Sequence, residues 1–347
     1  MLRGAILGVG QVALHGHVPG WLSREDVAIV AGADANAERR DAFRAAFPQA
    51  SWYDAAEALF ERETIDFVDI CTPPASHGPL SRLALDRSVH VLCEKPLVLA
   101  PEELRGLPAL AAERERVVFT VHNWKHAPIL GKAAELVRSA LIGDVRRVRW
   151  ETLRERPASV AGDEPNWRVD PSQSGGGVLA DHGWHALYVI QQWMRAAPLT
   201  VAAALETRKH KDWPVEDTAD LFLAYPSASA EIFLTWAADE RANRADIEGT
   251  RGRIRMDGGR LALFGAAGAD PIEEWRFPAL TEGSHHPDWF GGVIGDFFDE
   301  IATPALRGRN LAEASLCAHV LSLARESNRR ASEPLSAGRI AVPVSKT

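Results

Sequence analysis

The sequence predicts an α/β protein in two parts: a doubly wound parallel sheet first, then an α/β domain with a large, mostly antiparallel sheet. Three observations carry this. The first 120 residues alternate strand-like and helix-like runs, the signature of βα units. A Gly8-x-Gly10-x-x-Ala13 motif stands between the first strand and the first helix. From residue 199 the chain reads as strand after strand, broken by turn signals such as Asp257-Gly258-Gly259. A length of 347 residues exceeds one typical core. Residues 1–121 are expected to form a dinucleotide-binding domain and 122–347 a substrate-binding and oligomerisation domain, with no flexible linker between them.

In the first part, apolar runs at 2–8, 27–33, 66–71, 89–93 and 117–121 predict strands. Helices are expected at 11–23, 36–47, 76–87 and 101–114. Ala42, Phe43, Ala46 and Phe47 share one helix face, and Pro101 suits a first helical turn. In the second part, 129–140 and 181–194 read as helices and 145–153 as a long strand. Strands follow at 199–206, 218–224, 230–236, 244–248, 252–256 and 260–263, and helices at 290–301 and 311–325 close the chain.

Composition narrows the function. Apolar residues make up 46% and charged residues 25%, as in an ordinary globular protein. A formal net charge of −8 disfavours nucleic acid as the main partner. Cys71, Cys93 and Cys317 are widely spaced without a C-x-x-C, so neither a disulfide framework nor a zinc site is expected and no metal is assigned. No apolar run reaches the ~20 residues of a membrane span, and no leader is expected before the glycine motif. A cytoplasmic protein is expected. Eight of the 11 tryptophans lie from position 150 onward, chiefly for packing.

The glycine motif has the context a dinucleotide fingerprint needs, between strand and helix. Gly8 permits a tight turn, Gly10 close approach of backbone to a pyrophosphate, and Ala13 close helix–strand packing. Gln11 and Val12 open the helix whose N–H groups would meet the phosphates. Asp34 ends the second strand 21 residues after Ala13, the place of a ribose-binding carboxylate. It would repel a 2′-phosphate, which favours NAD; NADP stays open because Arg39 and Arg40 lie close by. Thr72, Pro73 and His77 follow the third strand at its carboxyl end, where open α/β sheets bind ligands. Glu94, Lys95 and Asn123 complete the expected cofactor lining. His15 and His17 read as packing or cofactor-proximal, not as metal ligands.

Four patterns stand in order: Gly8-x-Gly10-x-x-Ala13, Thr72-Pro73-x-x-x-His77, Glu94-Lys95-Pro96 and Gly175-Gly176-Gly177 followed by Asp181-x-Gly183-x-His185. Together they resemble the glucose–fructose oxidoreductase / inositol dehydrogenase / MocA family over nearly the whole chain. Ile247-Glu248-Gly249-Thr250-x-Gly252 is similar to that family's late sheet. The resemblance implies a Rossmann domain and a C-terminal domain whose open sheet commonly makes a dimer or tetramer. It implies NAD(P)-dependent hydride transfer on sugars, cyclitols or related polyols. Lys95, Asp181 and His185 match its catalytic positions, and Lys125 stands where an arginine is frequent.

These residue types suit the chemistry. Imidazole titrates near working pH, so His185 is the expected general acid/base. Asp181, four residues earlier, would orient it or bind a neighbouring hydroxyl. Lys95 would stabilise developing negative charge on the reacting oxygen. Lys125, Trp167 and Arg168 are further candidate substrate contacts, and His285-His286 a weaker one. Two alternatives stay open: an NAD-dependent glycoside hydrolase acting by transient oxidation, and a non-catalytic dinucleotide-binding regulator.

Overall fold

The computed structural model describes residues 1–160, 165–266 and 268–338. Its first sheet holds six strands: β1 (Leu2–Leu7), β2 (Val27–Ala33), β3 (Ser51–Tyr53), β4 (Phe67–Ile70), β5 (His90–Cys93) and β6 (Val118–Thr120). They are all parallel in the order β3-β2-β1-β4-β5-β6. The order reverses between β1 and β4, and their carboxyl ends are where such a sheet binds ligands. The helices of this stretch are α1 (Val18–Leu22), α2 (Arg40–Ala46), α3 (Ala56–Arg62), α4 (His77–Asp86) and α5 (Leu107–Glu113).

The second sheet contains β7 (Val145–Leu153), β8 (Thr200–Glu206), β9 (Thr218–Ala224), β10 (Ser229–Thr235), β11 (Ala242–Gly249), β12 (Gly252–Asp257), β13 (Arg260–Gly265), β14 (Glu273–Arg276) and β15 (Leu335–Ser336). Their order is β14-β13-β12-β11-β7-β10-β9-β8-β15. β7 and β10 run parallel; every other adjacent pair among the described residues is antiparallel. The later helices are α6 (Pro128–Arg138), α7 (Pro171–Ser174), α8 (Trp184–Met194), α9 (Pro287–Ala302) and α10 (Arg309–Arg329).

The inward face of β7 carries Val148 and Trp150, and α8 is buried along nearly its whole length, which covers that side of the sheet. Trp150, Trp184, Trp193 and Trp236 are core residues, as the tryptophan-rich composition suggested. The opposite face shows Arg147, Arg149 and Glu151 on β7, Glu231 and Phe233 on β10, and Asp220 and Phe222 on β9. Opposite charges pair across the strands there, Arg147 with Glu231 at 2.6 Å and Arg255 with Asp246 at 2.8 Å.

The chain divides into two compact units. One comprises chiefly Met1–Asn123 and His285–Ser315; the other is chiefly Trp124–Ser159 with Asn166–Ser284 and the residues from Leu316. The return of 285–315 to the first unit is absent from the sequence reading, which assigns everything after 121 to the second domain. Its cause is a shared aromatic core: Phe290 and Phe297 of α9 pack with Trp21, Phe67 and Phe119.

Local differences have physical reasons. The helices expected at 11–23 and 181–194 begin as π-helical turns, Ala13–His17 and Leu179–Gly183; such insertions are frequent at functional sites. The helix expected at 101–114 is interrupted at Gly106, giving Pro101–Leu104 as a 3-10 turn and then α5. Strands β3, β14 and β15 and helices α3 and α7 were not expected. They are short, so alternation or helical periodicity has few residues in which to show.

Candidate active site

In the first unit the fingerprint closes as its spacing predicts. Gly8 has φ +83°, and a Cβ there would lie 2.7 Å from the Thr72 backbone nitrogen, so this position demands glycine twice over. Gly10 has nothing within 4 Å of where a Cβ would stand. Asp34 accepts the Val9 N–H at 2.7 Å and the Asn36 N–H at 2.8 Å, tying its carboxylate to the glycine turn. The open space at Gly10, the carboxylate at the end of β2 and the buried, unbonded Oδ1 of Asn123 fit a dinucleotide. Gln11 and Val12 precede the π-helical turn and Ala13 is fully buried within it.

Thr72 and Pro73 follow β4, as expected. His77 is buried, with Nδ1 2.7 Å from the Pro96 carbonyl and Nε2 2.7 Å from the Thr72 carbonyl. Burial holds its pKa below the ordinary value against the pull of these carbonyls. His77 thus ties together the loops after β4 and β5. Glu94 and Lys95 follow β5; Glu94 Oε2 accepts the Lys95 backbone N–H at 3.0 Å. His285 and His286 both have positive φ, 67° and 44°, and the His285 ring lies 5.9 Å from that of His15.

In the second unit a separate cluster forms. His185, 7% exposed, stacks on Trp124 with ring centroids 4.3 Å apart at 11°. Its Nδ1 lies 2.7 Å from the Tyr188 hydroxyl, which also accepts the Trp124 N–H at 3.1 Å. Lys125 Nζ sits 6.0 Å from the Tyr188 ring centre. Asp181 Oδ2 is 4.0 Å from Arg168 Nε and 3.8 Å from His182 Nε2. The Arg168 guanidinium lies over the Trp167 ring at 4.3 Å. Asp181, His185, Lys125, Trp167 and Arg168 therefore all belong to this unit.

Three contributors escaped the sequence reading. Tyr188 holds His185; an i, i+3 spacing on the predicted helix was the available signal. Arg154 is buried at the end of β7, donating to Ala242 and Asn243. Burial lowers its pKa to about 10, Arg241 adding to the fall and Asp181 opposing it. Glu216 accepts the N–H groups of Gly177 and Leu179 at 2.9 and 3.1 Å, and its own carbonyl accepts the Val178 N–H. A Cβ on Gly177 would fall 1.8 Å from that carbonyl, so the glycine run serves close backbone contact. Nothing in the sequence linked Glu216 to residues some forty positions earlier.

Comparison with known proteins shows the family. Residues 2–122 match the oxidoreductase family with an NAD-binding Rossmann fold, and 130–255 match the Gfo/Idh/MocA C-terminal domain. A dTDP-3,4-didehydro-2,6-dideoxy-alpha-D-glucose 3-reductase of Streptomyces antibioticus is 30% identical over 260 residues, 74% of this chain and 75% of that protein. A D-glucoside 3-dehydrogenase of Escherichia coli is 29% identical over 195 residues, 54% of each chain. A levoglucosan dehydrogenase, solved with NADH and levoglucosan, shares the fold with TM-score 0.82 at 20% identity, over 97% of this chain and all of that one. The fingerprint at Gly8–Ala13, the Glu94-Lys95 pair after β5 and the matches over both units place the chain in the Gfo/Idh/MocA family of NAD-dependent oxidoreductases.

Proposed function

We propose that this chain interconverts a secondary alcohol and a ketone on the ring of a sugar or related polyol, and that Lys95, His185 and Asp181 carry the chemistry. The observation that carries the reading is the mounting of His185. Trp124 fixes its plane and Tyr188 engages Nδ1, which directs proton exchange to Nε2. For His185 to take a proton there, Nδ1 must donate to Tyr188.

Bound NAD supplies the hydride acceptor at its nicotinamide ring. In the oxidation direction His185 removes the hydroxyl proton, while Lys95 donates to the same oxygen and stabilises its negative charge. Asp181, braced by Arg168, accepts from a neighbouring ring hydroxyl. Trp167, Arg168 and Lys125 contact the remainder of the substrate. Gly8, Gly10, Gln11, Val12, Ala13, Asp34, Thr72, Pro73 and Asn123 line the dinucleotide, and the carboxylate of Asp34 favours NAD.

Two of the relatives are a dehydrogenase and a reductase named for position 3 of a glucose ring. Pyranosides with a free 3-hydroxyl, and their 3-keto forms, are therefore the first substrates to test. The test follows NADH absorbance with such compounds for the intact protein, Lys95→Ala and His185→Ala. Both variants should bind NAD and lose turnover; near-normal turnover in either removes that residue from the site.

The chain is also proposed to associate with a second copy through the outer sheet face, as a dimer or part of a tetramer. Arg149, Glu151, Asp220, Phe222, Glu231 and Phe233 line an open depression there, and Phe222 is 45% exposed. Rows of alternating charge suit a self-complementary contact. Phe222→Asp should lower the mass seen in light scattering. No described helix is long and apolar enough to cross a membrane, and Cys71, Cys93 and Cys317, none of them in a disulfide, fit a cytoplasmic setting.

A further inference from the structure

His17 sits in the π-helical turn that follows the fingerprint, and its ring is buried against Phe290, centroids 3.9 Å apart at 20°. Both ring nitrogens meet carboxylates. Nδ1 lies 2.9 and 3.0 Å from the two oxygens of Asp69, on β4, and Nε2 lies 3.1 Å from Oε1 of Glu94, which follows β5. Asp69 is fully buried and accepts a further hydrogen bond from the Trp21 indole at 2.7 Å. Cys71 Sγ is 3.2 Å from Nδ1. A carboxylate at each nitrogen requires a proton on each, so the ring is an imidazolium.

The charges agree with this geometry. Burial opposes protonation of His17, but the Asp69 and Cys71 contacts together outweigh it and the pKa stands well above the ordinary value. Burial likewise pushes Glu94 up, and the His17 contact with the nearby Lys95 charge brings it below the usual carboxylate range. Burial raises the Cys71 thiol well above its ordinary value, Asp69 adding to the rise, so the thiol stays neutral. The donor atoms of His17, Asp69 and Cys71 lie within 4.8 Å of one another. With both imidazole nitrogens protonated toward carboxylates, Asp69, His17 and Glu94 form an ion-paired triad.

We infer that His17 is a positioning residue for Lys95: clamped between Asp69 and Glu94, it fixes the carboxylate whose other oxygen holds the Lys95 backbone N–H. The line runs from Asp69 Oδ to His17, from His17 Nε2 to Glu94 Oε1, and from Glu94 Oε2 to the Lys95 N–H at 3.0 Å. His17 thus ties the ends of neighbouring strands β4 and β5 from the helix that opens the cofactor site. The inference rests on the reading of Lys95 as the residue that meets the reacting oxygen. It assigns a second task to the helix after the fingerprint, beyond phosphate binding.

A double-mutant cycle tests it with the full chain. His17→Gln and Glu94→Gln should each lower kcat by roughly tenfold or more with substrate KM within about twofold, because the lysine is misplaced but still present. The double variant should be no worse than the poorer single variant, since both act through one contact. Additive losses, or an unchanged kcat in His17→Gln, overturn the inference. Should His17→Gln fail to fold, Glu94→Gln and ring NMR still decide. The His17 nitrogens of the intact protein should show imidazolium shifts at about pH 8, where an ordinary histidine is neutral; neutral shifts overturn the inference. Lys95→Ala separates the two readings. Normal turnover there removes the premise, whereas lost turnover there with a normal His17→Gln removes only the clamp.

Discussion

The Nδ1 atom of His185 lies 2.7 Å from the Tyr188 hydroxyl, one turn further along α8. In the proposed mechanism this contact selects the edge of the imidazole that would exchange the proton, and the Trp124 N–H holds the tyrosine oxygen in turn. Tyr188→Phe removes the partner while keeping the packing. Its kcat should fall by about tenfold, equivalent to ~1.4 kcal/mol, with NAD affinity unchanged. Steady-state kinetics beside NAD titration check this.

Gly8 and Gly10 should respond differently to one added methyl. Gly8→Ala strains a backbone at φ +83° and meets the Thr72 backbone, so both melting temperature and NAD affinity should fall. Gly10→Ala has open space without cofactor, so its melting temperature should stay within about 1 °C of the parent's while NAD affinity drops at least tenfold. Thermal melts with and without NAD separate the two.

Glu216→Ala orphans the N–H groups of Gly177 and Leu179 and removes the charge that faces the half-buried Arg325. The expected loss of stability is ~1–3 kcal/mol. Catalysis should weaken too, because these N–H groups open the turn that presents Asp181. Urea denaturation and kcat on the same preparation are the measurements.

His90 predicts part of the acid sensitivity. Burial, with Arg116 and Arg307 nearby, lowers its pKa to about 4, and its Nδ1 accepts the Val117 N–H, as a neutral ring can. In the unfolded chain the group titrates near 6.5. Unfolded molecules therefore bind the extra proton first, and stability from this residue is complete above about pH 6.5 and is lost as pH falls toward 4. His90→Gln should flatten that segment of the stability–pH curve measured by denaturant titration.

The parts of the fold visible in the sequence are those with long, regular patterns. β7 and β9 coincide with the expected runs 145–153 and 218–224, because nine and seven residues suffice to display alternation. The fingerprint was equally legible, since Gly8, Gly10, Ala13 and Asp34 act through local turn geometry. Asp181 and His185 were visible as a spacing, but the π-helical turn between Leu179 and Gly183 was not. Contacts that join distant segments left no local trace. Glu216 reaches Gly177, Asp69 reaches His17, and Arg154 reaches Asn243 only once the chain has folded.

The return of α9 to the first unit has a consequence for biosynthesis. The side chains of Trp21, Phe67 and Phe119 leave the ribosome early, yet their partners Phe290 and Phe297 are made more than 160 residues later. Until then the N-terminal portion carries an uncovered aromatic surface of the kind that chaperones recognise. A fragment ending at residue 123 should aggregate, and adding 285–315 as a separate peptide should rescue it. The cofactor-binding half is thus the first to be synthesised and among the last to be completed.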